Sequence, residues 1–459
     1  MQSSLTEGKV GVTLLKFSLP FLLASIIQMA YGAVDVVMLS WFASPATLAG
    51  AGNGSTLVAS LTSVLFGFTN GGMILLGQYY GARHEENSAK AFGNIILMQT
   101  AIAVFGTVFI LSFGKLSIVI TKVPADIDEK GLTAVNEAWS YMRICACGLI
   151  FQAGFNTISS MLRALGDSKT PLLFISISCV VHIILGLTFI RVIGMGASGA
   201  ALATVISQAF SFLISLFYIR RKKLPFKFAR SDIRPDKMIL KTIFRLGIPI
   251  SLQTMLNSLS FLVIATIINN MGLYASSANG LVNSVINFYM IIPYAFGSAL
   301  SAISAQNLGA GKPKRAYDSM KLGVVFSLAV AIPCTLAASL FPTAIISLVS
   351  PNADVIKAAA EYLIPFSWDF ILVGFIFCIN GFFNGCGITT YVAIHETVAA
   401  FAVRIPLSWA LSRIPGATLF HVGIGTPAAT LVSILMCMIY YKVKLSGGKL
   451  ENLKIAGTV

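Results

Sequence analysis

Residues 91–113 read AFGNIILMQTAIAVFGTVFILSF, twenty-three consecutive positions without a charged side chain. A helix rises about 1.5 Å per residue, so about 20 apolar residues cross the roughly 30 Å of bilayer hydrocarbon. This stretch is long enough to span, and too long and too apolar for an ordinary core helix. Outward from it, segments of the same kind recur at 14–41, 55–80, 137–163, 171–191 and 197–219 in the first half. The second half adds 242–270, 280–304, 320–341, 358–384, 390–411 and 424–441. The composition agrees. Of 459 residues 56% are apolar, and 32 Lys or Arg with 17 Asp or Glu make up only 11%, where a soluble chain would be about 25% charged. Twelve spans use most of the chain and leave no room for a separate soluble domain. The expected fold is all-α, a polytopic membrane protein of twelve transmembrane helices.

The net charge of +15 is a matter of topology, because the basic residues flank apolar segments; no nucleic-acid partner is expected. The N-terminus, the C-terminal tail and the loops 81–90, 163–170, 220–245 and 309–321 hold 24 of the 32 Lys and Arg, the alternate loops hold seven, and Arg404 lies within a span. The positive-inside rule then puts both termini in the cytoplasm, together with the linker that begins Arg220-Arg221-Lys222-Lys223. The polar start Met1–Gly11 runs into the first span without a small-residue cleavage site, so no cleaved leader is expected. The seven cysteines contain no C-x-x-C and read as small core residues. Cys145 and Cys147, two apart, would point to different faces of a helix.

The halves resemble each other. Gln78-Tyr79-Tyr80-Gly81-Ala82 matches Gln306-Asn307-Leu308-Gly309-Ala310 at an offset of 228, and Pro20 matches Pro249 at 229. Tyr141 pairs with Tyr362 at 221, followed by Arg163-Ala164-Leu165-Gly166 against Asn384-Gly385-Cys386-Gly387. An even number of spans per half starts both halves on the same side. The plan is therefore two parallel six-helix lobes related by a pseudo-two-fold axis along the membrane normal, a transporter architecture. The lobes expected are 1–219 and 242–459, with 220–241 as the cytoplasmic linker.

The stretch Met161-Leu162-Arg163-Ala164-Leu165-Gly166-Asp167-Ser168-Lys169-Thr170-Pro171 resembles the loop between the fourth and fifth spans of the MATE family, the multidrug and toxic compound extrusion transporters. Gly199-Ala200-Ala201-Leu202-Ala203-Thr204 is similar to that family's sixth-span motif, and Val34-Asp35 to its first-span acidic motif, closest to the bacterial DinF-like pattern. The resemblance covers nearly the whole chain. It implies a V-shaped cleft between two lobes, alternating access, and cation-driven export of amphipathic, cationic compounds across the cell membrane. H+ or Na+ would be the coupling ion, with no other cofactor. The partners expected are small-molecule substrates and membrane lipids, with the transporter acting as a monomer.

Three carboxylates fall well inside spans: Asp35, Asp369 and Glu396. A charge near a helix centre costs about 2.5–3.5 kcal/mol on insertion scales, so such residues are functional candidates. Gln28, Tyr31 and Asp35 form one stripe at i−7, i−4 and i and match first-span family positions. Burial disfavours the charged form of a carboxyl, the property a proton-exchanging group needs; packing alone is the competing reading. Gln152 and Asn156 lie one turn apart on the fourth span, and they and Thr204 match polar family positions. Where some members carry Asn-x-x-x-Asp on the fifth span, this chain has His182 and Gly186. That departure argues against a two-carboxylate sodium site, since a hard cation wants several oxygen ligands, and makes His182 either a second titrating group or a neutral core histidine.

The second half departs too: Asn257 stands where the NorM-type branch has a Glu, and Val373 where it has an Asp, with Asp369 one turn earlier. Trp368 and Pro365 suggest that Asp369 is near the outer end of its helix. Asn279, Asn283 and Asn287 make an i, i+4, i+8 ladder on the eighth span, with Asn380 and Asn384 on the tenth, read either as cavity lining or as interhelical glue. The coupling candidates are thus Asp35, His182 and Asp369; the substrate candidates are Gln28, Tyr31, Gln152, Asn156, Thr204, Asn257, Asn283 and Asn287. Glu396, beside His395, reads as interfacial.

Other classes fare poorly. Leu308-Gly309-Ala310-Gly311-Lys312-Pro313 lacks the first Gly and the Ser/Thr of a phosphate loop. No H-E-x-x-H or G-x-S-x-G occurs, and the one acidic cluster, Asp126, Asp128 and Glu129, is in a loop, so no enzyme is expected. The alternative is a lipid-linked saccharide flippase of the same superfamily, which would line its path with cations; only Arg143 and Arg404 offer themselves. The charge asymmetry makes a direct prediction. A single Cys at Ser231 of a Cys-free protein will resist impermeant thiol reagents in intact cells and react after permeabilisation. Labelling from outside would reverse the orientation.

Overall fold

The computed structural model describes residues 5–121, 123, 131–222, 224–447, 449–453, 455 and 456. The acids Asp126, Asp128 and Glu129 lie outside the described residues, as do Lys122, Lys130, Lys223 and Lys454 of the charge tally. Every regular element described is helical. In the first half these are α1 (Val10–Phe42), α2 (Pro45–Gly81), α3 (Glu85–Ile120), α4 (Ala134–Ala164), α5 (Lys169–Gly186) continued by a π-helical stretch Leu187–Val192, and α6 (Gly196–Arg221). The second half holds α7 (Lys237–Asn269), α8 (Leu273–Gly309), α9 (Pro313–Leu340), the short α10 (Pro342–Ser347), α11 (Ala353–Gly385), α12 (Thr389–Val398), α13 (Ile405–Ser412), α14 (Leu419–Gly423) and α15 (Gly425–Tyr440).

Eleven of the described helices are long and apolar enough to cross a membrane. The twelfth expected span, 390–411, is present in pieces: α12, a π-helical stretch Ala399–Arg404, then α13. Pro406 accounts for the change. It has no N–H to give and its ring crowds the carbonyl four residues back, so the ladder ahead of it loosens. Most of the helices run a few residues past the apolar segments that announce them, because polar caps carry the helix beyond the hydrocarbon. Ser44 Oγ accepts from Thr47 N at 3.2 Å at the start of α2, and Asn352 Oδ1 accepts from Asp354 N and Val355 N at 3.0 and 3.1 Å at the start of α11.

The sequence repeat is also a repeat of helix ends. Gly166 and Gly387 are left-handed, with φ of 87° and 81°. After each, a backbone bond closes the turn, Asp167 N to Leu162 O at 2.8 Å and Ile388 N to Phe383 O at 2.9 Å. Glycine takes this conformation without a Cβ penalty.

The chain forms two compact units. The first comprises residues 23–251 and the second residues 5–22 with 252–459. The boundaries thus differ from the expected 1–219 and 242–459. The start of α1 belongs with the second half, and the linker and the first part of α7 with the first half. Both changes of allegiance fall beside the helix-interior prolines Pro20 and Pro249. In the first unit the linker is tied to α3 by Asp236 N donating to Asn94 Oδ1 at 2.8 Å and by Phe92 against Phe228 at 4.9 Å.

Lipid is as apolar as leucine, so helices in a membrane associate by close packing, which small residues permit. The first unit uses Gly67-x-x-x-Gly71 on α2 against Gly247 and Ser251 on α7; a Cβ on Gly71 would stand 2.8 Å from Gly247 N. The second uses Gly381-x-x-x-Gly385 on α11 against Gly297 and Ser301 on α8, where added Cβ atoms would meet backbone. The first core gathers Leu65, Ile110, Met142 and Leu149, the second Tyr289, Tyr362, Phe366 and Phe370. Large apolar side chains elsewhere face outward, among them Phe105, Phe113, Leu262 and Phe288, as a lipid-facing surface requires. The cysteines are free: Cys145 is buried as expected, but Cys147 is exposed, so not all seven are core residues.

Between α4 and α5 Asp167 accepts from Lys222 Nζ at 2.9 Å, Thr170 N at 3.0 Å and Thr170 Oγ1 at 2.7 Å. Burial pushes this carboxyl up, but Lys222 and the two Thr170 donors outweigh it and hold Asp167 below its ordinary value. For Lys222, burial pushes down and Asp167 with Tyr218 outweighs it, a net rise. A depressed carboxyl stabilises the fold above its unfolded value, about 3.9, and that contribution is lost as pH falls through the folded value. Thermal unfolding of the purified protein should therefore show an acid-side loss of stability below about pH 4 that Asp167→Asn lacks. Parallel pH profiles for the two would refute it.

Candidate functional site

In the first unit, α1, α5 and α6 bring three side chains to Asp35. His182 Nε2 lies 3.1 Å from Asp35 Oδ1. Thr204 Oγ1 is 3.4 Å from Asp35 Oδ2 and 3.4 Å from His182 Nε2, so one hydroxyl bridges both. Tyr31, one turn before Asp35, stacks on the His182 ring with centroids 3.8 Å apart and planes 14° apart, and its hydroxyl bonds to Ser207. His182 is wholly buried and its Nδ1 has no hydrogen-bond partner. A carboxyl, an imidazole and a bridging hydroxyl within hydrogen-bond reach form a set that can hold and pass a proton.

A cavity of about 310 Å³ opens beside this cluster, lined by Thr204 together with Gln152, Gln208, Tyr141, Thr62 and Phe66. Its wall mixes apolar surface with a few amides and hydroxyls, the make-up of a small-molecule pocket. Gly186, the position without a second acid, packs against Met38; a Cβ there would be 2.8 Å from Met38 Sδ. Asn156 is buried, does not line the cavity, and has its Nδ2 unpartnered. Gln28 is exposed on α1 and outside the cluster.

The second unit holds a separate polar cluster. Arg404, at the end of the π-helical stretch and 9% exposed, donates from Nη1 to Asn257 Oδ1 and Ser260 Oγ on α7, each at 2.8 Å, and lies over the Phe261 ring at 4.5 Å. Glu396 Oε1 accepts from Asn380 Nδ2 at 2.5 Å, with Gln253 as a second side-chain partner. Glu396 is therefore part of an interhelical network, which corrects its reading as an interfacial residue. Asp369 is the middle residue of α11 and 2% exposed, not near the helix end. Its Oδ1 is unpartnered. On α8, Asn283 Nδ2 donates along its own helix to Asn279 Oδ1 at 3.2 Å, while Asn287 is exposed; neither joins the Arg404 cluster.

Sequence reasoning named Asn257, Asp369, Arg404, Glu396, His395 and Asn380 one by one but did not bring them together, and it missed Ser260. The available signal was Arg404 itself, an arginine inside a span, which requires a buried partner.

A family model described as MatE matches the chain twice, over residues 20–188 and 249–410. The two matches begin at the paired prolines. The chain is 28% identical over 442 residues to the "Probable multidrug resistance protein YpnP" of Bacillus subtilis (strain 168), covering 95% of this chain and 96% of that one. It is 27% identical over 439 residues to the "Probable multidrug resistance protein YoeA" of the same organism, at 93% and 92% coverage. A solved structure described as the outward-facing conformation of a multidrug resistance MATE family transporter of the MOP superfamily aligns over 99% of both chains with a TM-score of 0.88 at 18% identity. At that identity the likeness shows the fold.

The contact between Asp35 and His182 can be measured directly. A double-mutant cycle of Asp35→Asn and His182→Gln, read by thermal unfolding in detergent, should give a coupling energy of roughly 0.5–3 kcal/mol. Strictly additive single substitutions would show that the two side chains do not interact.

Proposed function

The chain belongs to the MatE family of multidrug efflux transporters, and on that premise we propose that it is a proton-coupled antiporter exporting amphipathic, cationic organic compounds by alternating access. The observation that carries the reading is the placement of Asp35 with His182 and Thr204 at the edge of the Gln152-lined cavity. A charged carboxylate in an apolar bundle is unfavourable. A proton neutralises it, and so does an organic cation in the adjoining cavity. The two ligands compete for one charge, and such competition couples their gradients without contact between them.

Proton coupling is favoured over sodium because only one carboxylate is at this site; Met38 fills the space beside Gly186, while sodium wants several oxygen ligands. Asp369 would serve as the second unit's coupling carboxyl. Under this reading the protein is in the cell membrane with both termini cytoplasmic. The flippase reading loses ground, since Arg143 is exposed and Arg404 is engaged with Asn257 and Ser260.

The test is ethidium binding to purified protein in weak buffer. Wild type should release protons as ethidium binds, and its affinity should fall as pH is lowered, by about 5–150-fold. Asp35→Asn should release no proton from this site, lose that pH dependence, and fail to support active efflux. Equal pH dependence in both proteins, or transport that follows sodium and ignores pH, would overturn the proposal.

A further inference from the structure

The second unit contains a buried charge imbalance. Arg404 supplies one positive charge, and Asp369 and Glu396 are both close enough to act on it electrostatically. Neither carboxylate makes an ion pair with it within 4.0 Å; its Nη1 bonds go instead to neutral Asn257 and Ser260. The other titratable groups facing the cluster are Tyr289 of α8, with Cys334 of α9 and Cys378 of α11 beside it, Tyr362 of α11, His395 of α12 and Cys437 of α15. From α7 come only the uncharged Gln253, Asn257 and Ser260. Phenols and thiols are neutral at neutral pH. Two ionised carboxylates against one guanidinium would leave a single uncompensated negative charge in a low-dielectric interior, a costly arrangement.

The hydrogen bonds decide which carboxyl is relieved of its charge. Ser433 Oγ and His395 Nδ1 are 3.0 Å apart, and His395 Nε2 donates to Asn380 Oδ1 at 3.1 Å, since an amide oxygen only accepts. The amide nitrogen of Asn380 points the other way, and Nδ2 donates to Glu396 Oε1 at 2.5 Å. The chain is polarised from end to end and finishes on Glu396. In the neutral ring Nδ1 accepts from Ser433, and both nitrogens of His395 are satisfied. Gln253 adds a second side-chain bond to Glu396. Asp369 has less support: Thr430 gives it one side-chain bond, and its Oδ1 is buried without a partner.

We propose that Glu396, fixed as a carboxylate by the Ser433–His395–Asn380 chain, takes up the charge of Arg404 and so makes Asp369 the carboxyl that carries an exchangeable proton. Glu396 and Arg404 are then positioning residues: they set the proton on Asp369 without exchanging it themselves. Glu396 thus has a role distinct from that of Asp35. The inference rests on the reading of Asp369 as the second unit's coupling carboxyl and adds what sets its proton, and it can be tested without substrate.

The experiment is the hydrogen–deuterium difference infrared spectrum at neutral pH, where a protonated carboxyl shows an exchange-sensitive C=O stretch. The Asp35→Asn protein serves as background so that only other carboxyls contribute. The band should be present there, and Asp369→Asn should abolish it. The decisive variant is Glu396→Gln, which leaves Asp369 in place but frees Arg404 to compensate it; the band should vanish, and Glu396→Asp should restore it. Arg404→Gln, which protonates both carboxyls, should roughly double the band by the same charge balance, and this serves if Glu396→Gln does not fold. Persistence of the band in Glu396→Gln, its survival in Asp369→Asn, its absence from the background protein, or no increase in Arg404→Gln would each overturn the proposal. Because no drug is added, these outcomes are separate from success or failure of ethidium coupling.

Discussion

A charge placed inside a helical bundle that sits in lipid must be matched within the bundle, and the polar architecture of both units follows from that constraint. In the first unit the match is compact: Asp35 has His182 at 3.1 Å, a shared Thr204 hydroxyl and a stacked tyrosine. In the second it is distributed over five elements, with Arg404 bonded to α7 and Glu396 bonded to α11. The two solutions differ in what they ask of a ligand. The first offers a carboxyl beside an open cavity; the second offers a nearly balanced cluster in which one proton sets the net charge.

Such clusters need helices held close enough for side chains to meet across them, and here glycine does the holding. The matched small-residue stripes, Gly67 and Gly71 on α2 and Gly381 and Gly385 on α11, bring backbones nearly into contact. That approach brings dispersion contacts in a solvent that gives no hydrophobic drive for association. The π-helical stretches in α5 and before α13 have the opposite effect and loosen the backbone beside the polar centres. The stretch 187–192 follows His182 by one turn, and 399–404 carries Arg404 at its end. Such irregular turns are common at functional sites.

Much of this was legible in the residues. Spanning helices declare themselves by length and apolarity, and the glycines of the paired loops announce where α4 and α11 stop. The neighbours Tyr31 and Asp35 could be read from helical spacing, and His182 and Thr204 from setting the chain against the family pattern it resembles. The partners could not. That Tyr31 meets Ser207, or that Arg404 meets Asn257 and Ser260, depends on how far one helix slides along another, and spacing along a single helix carries no information about that. Glu396 was misread for the same reason: its position near a helix start suggested an interface, whereas Asn380 and Gln253 draw it inward. The split of α1 and α7 between units was equally hidden, because repeat offsets count residues and not contacts.

The division of α1 has a consequence for the timing of folding. The backbone carbonyls of Leu5, Thr6, Glu7 and Gly8 are bound by Asn307, Lys312 and Arg315. Those side chains come 302 to 308 positions later in the chain. At a synthesis rate of about 5–20 residues per second, the partners emerge roughly 15–60 s after the segment they hold. Throughout that interval these carbonyls must be served by water or by other protein. The second unit therefore cannot close in the order in which it is made, because its first segment has to wait for partners made hundreds of residues later.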